Sequence, residues 1–202
     1  MRIDRQQAFS GTTAPDIDAA ALEAYLGRHV DGFAGPLTLG RFKGGQSNPT
    51  YRLATPERLY VLRRKPFGKL LPSAHAIERE YRVTAALEAA GFPVARPLHL
   101  CTDEAVIGAA FYVMAHAEGR VFWEPHAPGL SGPDRAALFD SLNATIAQLH
   151  MLDHQALGLA DFGRPQGYVG RQIRRWSEQY RASETATIPE MNRLIAWLPG
   201  AC

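Results

Sequence analysis

Apolar and polar residues alternate along three short stretches in the first third of the chain. The stretches are LTLGRF (residues 37–42), TYRLA (residues 50–54) and LYVLRRK (residues 59–65). A period of two is typical of half-buried β-strands. Because the connections between them are short and rich in turn-forming residues, the pattern predicts an antiparallel meander.

Helical patterns lie before, after and between the predicted strands. The stretch AAALEAYLGRH, capped by Asp16 or Asp18, precedes the sheet, and a second helix over residues 74–90 follows the third strand, with Ser73 as its cap. Two more strands are predicted within residues 92–101 and 109–115. A long helix then begins at Ser131, with Pro133 in its first turn, and runs to about residue 153; helices over 168–183 and 189–198 follow.

This order of elements predicts an α+β fold with two lobes, because strands come first and helices afterwards. We expect an N-terminal arm and helix over residues 1–35, with the first 15 or so residues mobile. A five-stranded antiparallel lobe with one inserted helix is then expected over residues 36–118. An incomplete helical lobe is expected over residues 119–202.

Composition excludes several classes of protein. A net charge of +2 is too small to indicate binding to nucleic acid or to an anionic membrane surface. Cys101 and Cys202 form neither a disulfide framework nor a CxxC metal pair. The polar start of the chain has no secretory signal, and no apolar run is long enough to span a membrane. These features predict a cytoplasmic location.

The connection KGGQSNP between the first two strands is a candidate nucleotide loop. Gly44 and Gly45 let the backbone approach a ligand closely, and Gln46, Ser47 and Asn48 complete the segment. Successive N–H groups there are able to form an anion-binding nest. The segment matches neither GxGxxG nor GxxxxGK[ST], and Asn48 before proline is also ordinary turn chemistry. An ordinary hairpin turn is therefore the alternative.

A cation on the third predicted strand and a carboxylate on the following helix are candidates for a phosphate-binding site. Alternation places Arg63 on the opposite strand face from Arg64, and Glu80 lies on the apolar stripe of the following helix. A charge on such a stripe needs a partner, and the simplest partner for Glu80 is Arg63. An ion pair from the third strand to the next helix positions the phosphate-binding cation in kinases. The alternatives are an exposed basic strand end, shared with Arg64 and Lys65, and a charged surface helix.

The fifth predicted strand leads into the connection between the lobes. Its backbone has groups that are able to bind the edge of an adenine, with Met114 as the apolar residue behind the base. By itself, this strand end says nothing specific about adenine.

Longer stretches carry a more specific resemblance. GGQSNPTYRL, YVLRRKPFGKLLPSAHAIEREYRV, GFPVARPL, IGAAFYVMAHAEGRV and GYVGRQIRRWSEQY resemble the aminoglycoside phosphotransferase family, in order, over about residues 40–199. The nearest branch is that of the kinase-like domains that also occur fused to acyl-CoA dehydrogenases. The resemblance implies a protein-kinase-like fold, binding of ATP with Mg²⁺, and phosphorylation of small-molecule hydroxyl groups.

The resemblance also implies roles for individual residues. Residues 44–48 match the nucleotide loop of the family, Arg63 its phosphate-binding cation and Glu80 the helix partner of that cation. Ala115, His116 and Ala117 match the hinge that faces adenine. Arginine at position 63 replaces the usual lysine and offers a planar fork to phosphate oxygens.

The sequence also contains a misleading motif and lacks an expected one. Asp161-Phe162-Gly163 spells the DFG of kinases, but it follows His150 too closely to allow a catalytic loop, so we interpret it as a coincidence. The 202 residues contain no His-Gly-Asp loop with an asparagine five residues after the aspartate. We therefore expect a truncated chain with no catalytic residue and no metal ligand, and Mg²⁺ only in a longer protein.

Three functions stay open at this point. The first is the N-terminal portion of an ATP-dependent small-molecule kinase, inactive by itself, with a nucleotide and a hydroxyl acceptor as partners. The second is a non-catalytic nucleotide-binding or regulatory module, and the third is an unrelated α+β interaction domain. The helices from residue 133 onward are expected to expose apolar residues and to favour self-association, with Leu194, Ile195, Trp197 and Leu198 among them.

Overall fold

The computed structural model describes residues 16–42, 48–68, 76–163 and 166–201. The chain divides into two compact units, residues 1–153 and 154–202. The first unit contains the whole sheet and the first three helices, and the second contains two helices. The predicted boundary near residue 118 lies inside the first unit, and the domain assignment stays a prediction.

Five antiparallel strands form one sheet, as the alternation predicts. The strands are β1 (Thr38–Arg41), β2 (Thr50–Ala54), β3 (Leu59–Arg64), β4 (Pro97–Cys101) and β5 (Phe111–Ala115). Their order across the sheet is β1-β2-β3-β5-β4, and every neighbouring pair is antiparallel. The α+β fold is confirmed.

Five helices accompany the sheet in the described part of the chain. They are α1 (Ala19–His29), α2 (Ile77–Ala89), α3 (Gly132–His150), α4 (Tyr168–Ser183) and α5 (Pro189–Ala201). The prediction for α3 was three residues too long at its C-terminal end, and α5 continues three residues beyond its predicted end. None of the described helices is long and apolar enough to cross a membrane.

Capping residues explain where two of these helices begin. The Asp18 side chain accepts from the N–H groups of Ala20 and Ala21 at the start of α1, so Asp18 and not Asp16 is the cap. Ser131 accepts from Asp134 N–H at the start of α3, as predicted. The structure shows α2 starting at Ile77 without a side-chain cap; Ser73 lies outside the described residues.

The main core lies between α1 and one face of the sheet. Leu22 and Leu26 of α1 pack with Tyr51, Leu62 and Phe111, and all of these side chains are fully buried. The α1-facing residues of β2 and β3 occupy every second position, which is the alternation read from the sequence. Removing this much apolar surface from water is the main favourable contribution to the fold.

The opposite face of the sheet carries α2. Buried Ile77 packs with Ala110 and Tyr112, and the partly buried Tyr81, Leu100 and Met114 complete this smaller cluster. The helix contacts β4 and β5. Side chains of β3 that point to this face therefore lie near the start of α2.

The alternative of an exposed basic strand end at the end of β3 is wrong for Arg64. It points to the α1 side and is only 3% exposed, so it does not belong to an exposed basic strand end. Its guanidinium donates to Asp16 at 2.5 Å and to the Tyr51 hydroxyl at 2.9 Å, and it lies 3.6 Å from the centre of the Phe67 ring. These contacts compensate for the burial of the charge.

The predicted apolar exposure of the later helices is largely observed. Helix α3 has no buried residue, and in α5 Leu194 and Trp197 are exposed. Ile195 is buried, however, so the expectation was wrong for that side chain; α5, which carries it, packs with α4. Leu198 is half-buried.

Candidate functional site

Arg63 and Glu80 form the ion pair that the alternation of β3 and the stripe of α2 predict. Arg63 Nε lies 3.0 Å from Glu80 Oε2, and Arg63 Nη2 donates to Glu80 Oε1 at 3.4 Å. The Nε contact lacks the alignment of a hydrogen bond, so charge attraction dominates it. Glu80 lies in the first turn of α2, where the helix dipole favours a carboxylate.

The ion pair is half-buried, with side-chain exposures of 30% for Arg63 and 37% for Glu80. Removing one partner of a fully buried ion pair destabilises a protein by several kcal/mol. The Arg63–Glu80 pair is too exposed for a loss of that size. Solvent screening reduces the value of such pairs to about 1 kcal/mol. The pair therefore matters more for where it places a cation than for stability.

Two buried side chains also donate to the Glu80 carboxylate. Asn48 Nδ2 donates to Oε1 at 2.6 Å, and the Tyr112 hydroxyl donates to Oε2 at 3.2 Å. Burial of Tyr112, together with the neighbouring negative charge of Glu80, raises its pKa to about 12. The phenol is therefore neutral at physiological pH and available as a donor.

A second ion pair joins the same strand end to the same helix turn. Lys65 Nζ contacts Glu78 Oε1, and the two side chains are 24% and 37% exposed. Burial alone would raise the pKa of Glu78, but the hydrogen bond and charge of Lys65 outweigh it and the pKa is lowered. Two adjacent cation–carboxylate pairs thus hold β3 against the start of α2.

The structure accounts for only part of the predicted nucleotide loop. Gly44, Gly45, Gln46 and Ser47 lie outside the described residues. Asn48 is described and is 3% exposed; it lies two residues before the start of β2, and its side chain contacts Glu80.

The predicted hinge residues lie at the end of β5, and they differ in their surroundings. Met114 is partly buried in the cluster beside α2, on the sheet face that carries Arg63 and Tyr112. Ala115 and His116 line a cavity of about 570 Å³, and Ala117 is exposed. The other walls of that cavity come from the end of α1, the β2–β3 turn and the start of β4.

This cavity is separate from the Arg63–Glu80 pair. Neither member of the pair lines it, and its walls include Arg58, Arg96, Glu57 and Glu118. Positive and negative side chains are mixed around it, so it has no clear preference for phosphate. The predicted phosphate-binding role of Arg63 therefore does not involve this cavity and stays a prediction.

Sequence reasoning missed Tyr112 as a member of this site. The signal was present in FYVMA, where alternation places Tyr112 and Met114 on one face. What the sequence does not give is the strand order: β5 pairs with β3 and sets Tyr112 directly opposite Arg63.

A metal site is not formed by the described residues, since none of their histidine, cysteine, aspartate and glutamate side chains cluster in groups of three or more. The Asp161-Phe162-Gly163 segment lies in a turn of the second unit, where Phe162 N–H donates to Leu159 O at 2.9 Å. We therefore derive no step through Mg²⁺ from the described part of the chain.

A family model and a solved structure of phosphotransferases both match this chain. Residues 38–201 match the model of the phosphotransferase enzyme family. A crystal structure of a candidate aminoglycoside phosphotransferase from Ralstonia eutropha is 50% identical, with a TM-score of 0.73, over 91% of this chain and 53% of that one.

Curated relatives include much longer proteins. Acyl-CoA dehydrogenase family member 11 of Mus musculus is 46% identical over 90% of this chain, and family member 10 of Mus musculus is 47% identical over 89%. The probable acyl-CoA dehydrogenase IBR3 of Arabidopsis thaliana is 41% identical over 92%. The chain spans 24%, 17% and 24% of these three proteins, respectively. The match over residues 38–201 shows that the chain belongs to the phosphotransferase enzyme family.

Proposed function

We propose that this chain is the nucleotide-binding portion of an ATP-dependent phosphotransferase that acts on a hydroxyl group of a small molecule. The observation that carries the proposal is the Arg63–Glu80 pair at 3.0 Å, which joins β3 to the first turn of α2. An equivalent cation–glutamate pair is required in protein kinases to hold nucleotide phosphates. Membership of the phosphotransferase family supports the same assignment.

The residues beside the pair suit a nucleotide. Glu80 contacts Arg63 through Nε and Nη2, and the guanidinium has five N–H donors in a planar fork. Its remaining donors match the geometry of phosphate oxygens. ATP supplies the transferable γ-phosphoryl group when bound, and Arg63 would hold its phosphates. Residues 44–47 belong to this proposal by sequence, as do Met114 and residues 115–117 for the adenine.

We further propose that the 202 residues do not turn over substrate by themselves. Their sequence has no His-Gly-Asp loop with the asparagine that should follow. Phosphoryl transfer depends on groups that orient the acceptor hydroxyl and neutralise the phosphates. We expect weak ATP binding that depends little on Mg²⁺, without phosphorylation of an acceptor.

A second candidate is a non-catalytic nucleotide-binding or regulatory module, which the 202 residues alone do not distinguish from the first. The two candidates differ in a longer chain: a kinase gains turnover when the loop is supplied, and a regulatory module does not. The test extends the chain to the length of the Ralstonia eutropha relative and assays ATP consumption with a panel of hydroxylated acceptors. If the extended protein binds ATP without turnover on any acceptor, the regulatory assignment replaces the catalytic one.

A further inference from the structure

The Glu80 carboxylate is held by side chains from three different strand segments. Asn48, two residues before β2, donates to Oε1 at 2.6 Å, and Tyr112 of β5 donates to Oε2 at 3.2 Å. Arg63 of β3 contacts both oxygens. Asn48 is 3% exposed and Tyr112 is 4% exposed, so neither donor has ready access to water in place of Glu80.

The backbone fixes these donors firmly. Arg63 is directly opposite Thr50 on one side and Tyr112 on the other. The N–H of Arg64 donates to Pro49 O at 3.1 Å, which anchors the segment between Asn48 and β2 against the end of β3. The carboxylate is thus oriented by groups on paired strands and not by mobile surface side chains.

We propose that Asn48 and Tyr112 are positioning residues for the phosphate-binding cation. By holding the two oxygens of Glu80, they fix which edge of the Arg63 guanidinium pairs with the carboxylate and which edge faces phosphate. The proposal rests on the proposed function, because it assigns a role in nucleotide binding. It also gives Asn48, which the resemblance places in the nucleotide loop, a role through its contact with Glu80.

Asn48 also links the predicted nucleotide loop to the Arg63–Glu80 pair. It follows directly after residues 44–47 in the sequence, and its side chain bonds to the carboxylate that pairs with Arg63. The end of the loop and the cation therefore share one carboxylate. Loss of the Asn48 contact should weaken phosphate binding even though Arg63 is still present.

A double-mutant cycle tests the proposal. The variants are Tyr112→Phe, Asn48→Ser and Arg63→Ala, alone and with Arg63→Ala combined with each of the other two. ATP and AMP are titrated into each protein by calorimetry or by displacement of a fluorescent nucleotide. The matched control is Tyr81→Phe, because Tyr81 belongs to the same cluster and its ring lies 5.9 Å from that of Tyr112.

We expect Tyr112→Phe and Asn48→Ser each to weaken ATP binding by roughly fivefold or more, as loss of a hydrogen bond to a charged group implies. Binding of AMP, which lacks the β- and γ-phosphates, should change by less than about twofold. In the Arg63→Ala background the same substitutions should have almost no effect, because residues that act through one another are not additive. Tyr81→Phe should match the unmodified chain.

Each other outcome overturns a distinct claim. Equal losses for ATP and AMP would mean that the two residues only support the fold. Undiminished losses in the Arg63→Ala background, or ATP affinity unchanged in both single variants, would also overturn the positioning role. If the unmodified chain binds no nucleotide, the proposed function itself fails, and the positioning role fails with it.

Discussion

Asp16 and Arg64 are 48 residues apart in the chain and form an ion pair of 2.5 Å. Arg64 is the last residue of β3 and is buried, whereas Asp16 lies just ahead of α1. The Tyr51 hydroxyl bridges the two, donating to Asp16 at 2.7 Å and accepting from Arg64 at 2.9 Å. This network ties the segment before α1 to the strand that carries Arg63.

Replacement of Arg64 should therefore destabilise the first compact unit. Arg64→Ala leaves Asp16 and Tyr51 without their cation and removes the contact with Phe67. Because Asp16 is 31% exposed and keeps the Tyr51 donor, we expect a loss of about 1–3 kcal/mol in the free energy of unfolding. Urea denaturation followed by circular dichroism measures it. The control is Arg96→Ala: Arg96 is 71% exposed and 3.9 Å from Glu88, and its loss should cost about 1 kcal/mol or less. Equal effects of the two substitutions would contradict the role of Arg64.

The same network predicts a specific pH dependence. Burial alone would raise the pKa of Asp16, but hydrogen bonds from Tyr51 and Arg64 outweigh it and lower the pKa below the ordinary value of 3.8. A lowered carboxyl pKa stabilises the folded state above the pKa of the unfolded chain, and this stabilisation is lost as pH falls through the folded value. The stability difference between the unmodified chain and Asp16→Asn should be largest above about pH 5 and shrink below about pH 4. A difference that is constant over that range would contradict the ion pair.

Exposed apolar side chains on α3 predict self-association of the 202-residue chain. Phe139, Leu142, Ile146 and Leu149 lie on one helix face and are each more than 40% exposed. Apolar patches of this kind favour association. Leu142→Glu combined with Ile146→Lys should shift the sedimentation equilibrium toward monomer, whereas Asn143→Glu, at an exposed polar position, should not. An unmodified chain that stays monomeric and binds no hydrophobic dye would contradict this prediction.

The sequence predicted most of the fold because local patterns determine most of it. The period of two in TYRLA located β2 at its observed bounds, and the helix predicted over residues 168–183 has the bounds of α4. Two independent patterns, the alternation of β3 and the apolar stripe of α2, predicted that Arg63 and Glu80 face each other. The structure shows them as an ion pair.

Contacts between distant segments were not predictable in the same way. Asp16 has no periodic partner in sequence, so its pairing with Arg64 became visible only once α1 was packed against the sheet. Tyr112 was assigned to a strand correctly, but its contact with Glu80 depends on β5 pairing with β3 and not with β4 alone. Strand order is set by tertiary packing, and alternation carries no information about it.

The central claim is that Arg63 binds nucleotide phosphates, and a calorimetric titration of ATP tests it most directly. The unmodified chain should bind ATP weakly, with little change when Mg²⁺ is added. Arg63→Ala should weaken binding by roughly tenfold or more, since it removes a charged group that contacts phosphate.

The half-buried pair contributes little stability, so the variant should remain folded. Arg28→Ala removes an exposed cation of α1, which packs on the opposite face of the sheet, and this variant should bind as the unmodified chain does. ATP binding that survives Arg63→Ala undiminished, or Mg²⁺-dependent phosphorylation of an acceptor by the 202 residues alone, would contradict the account.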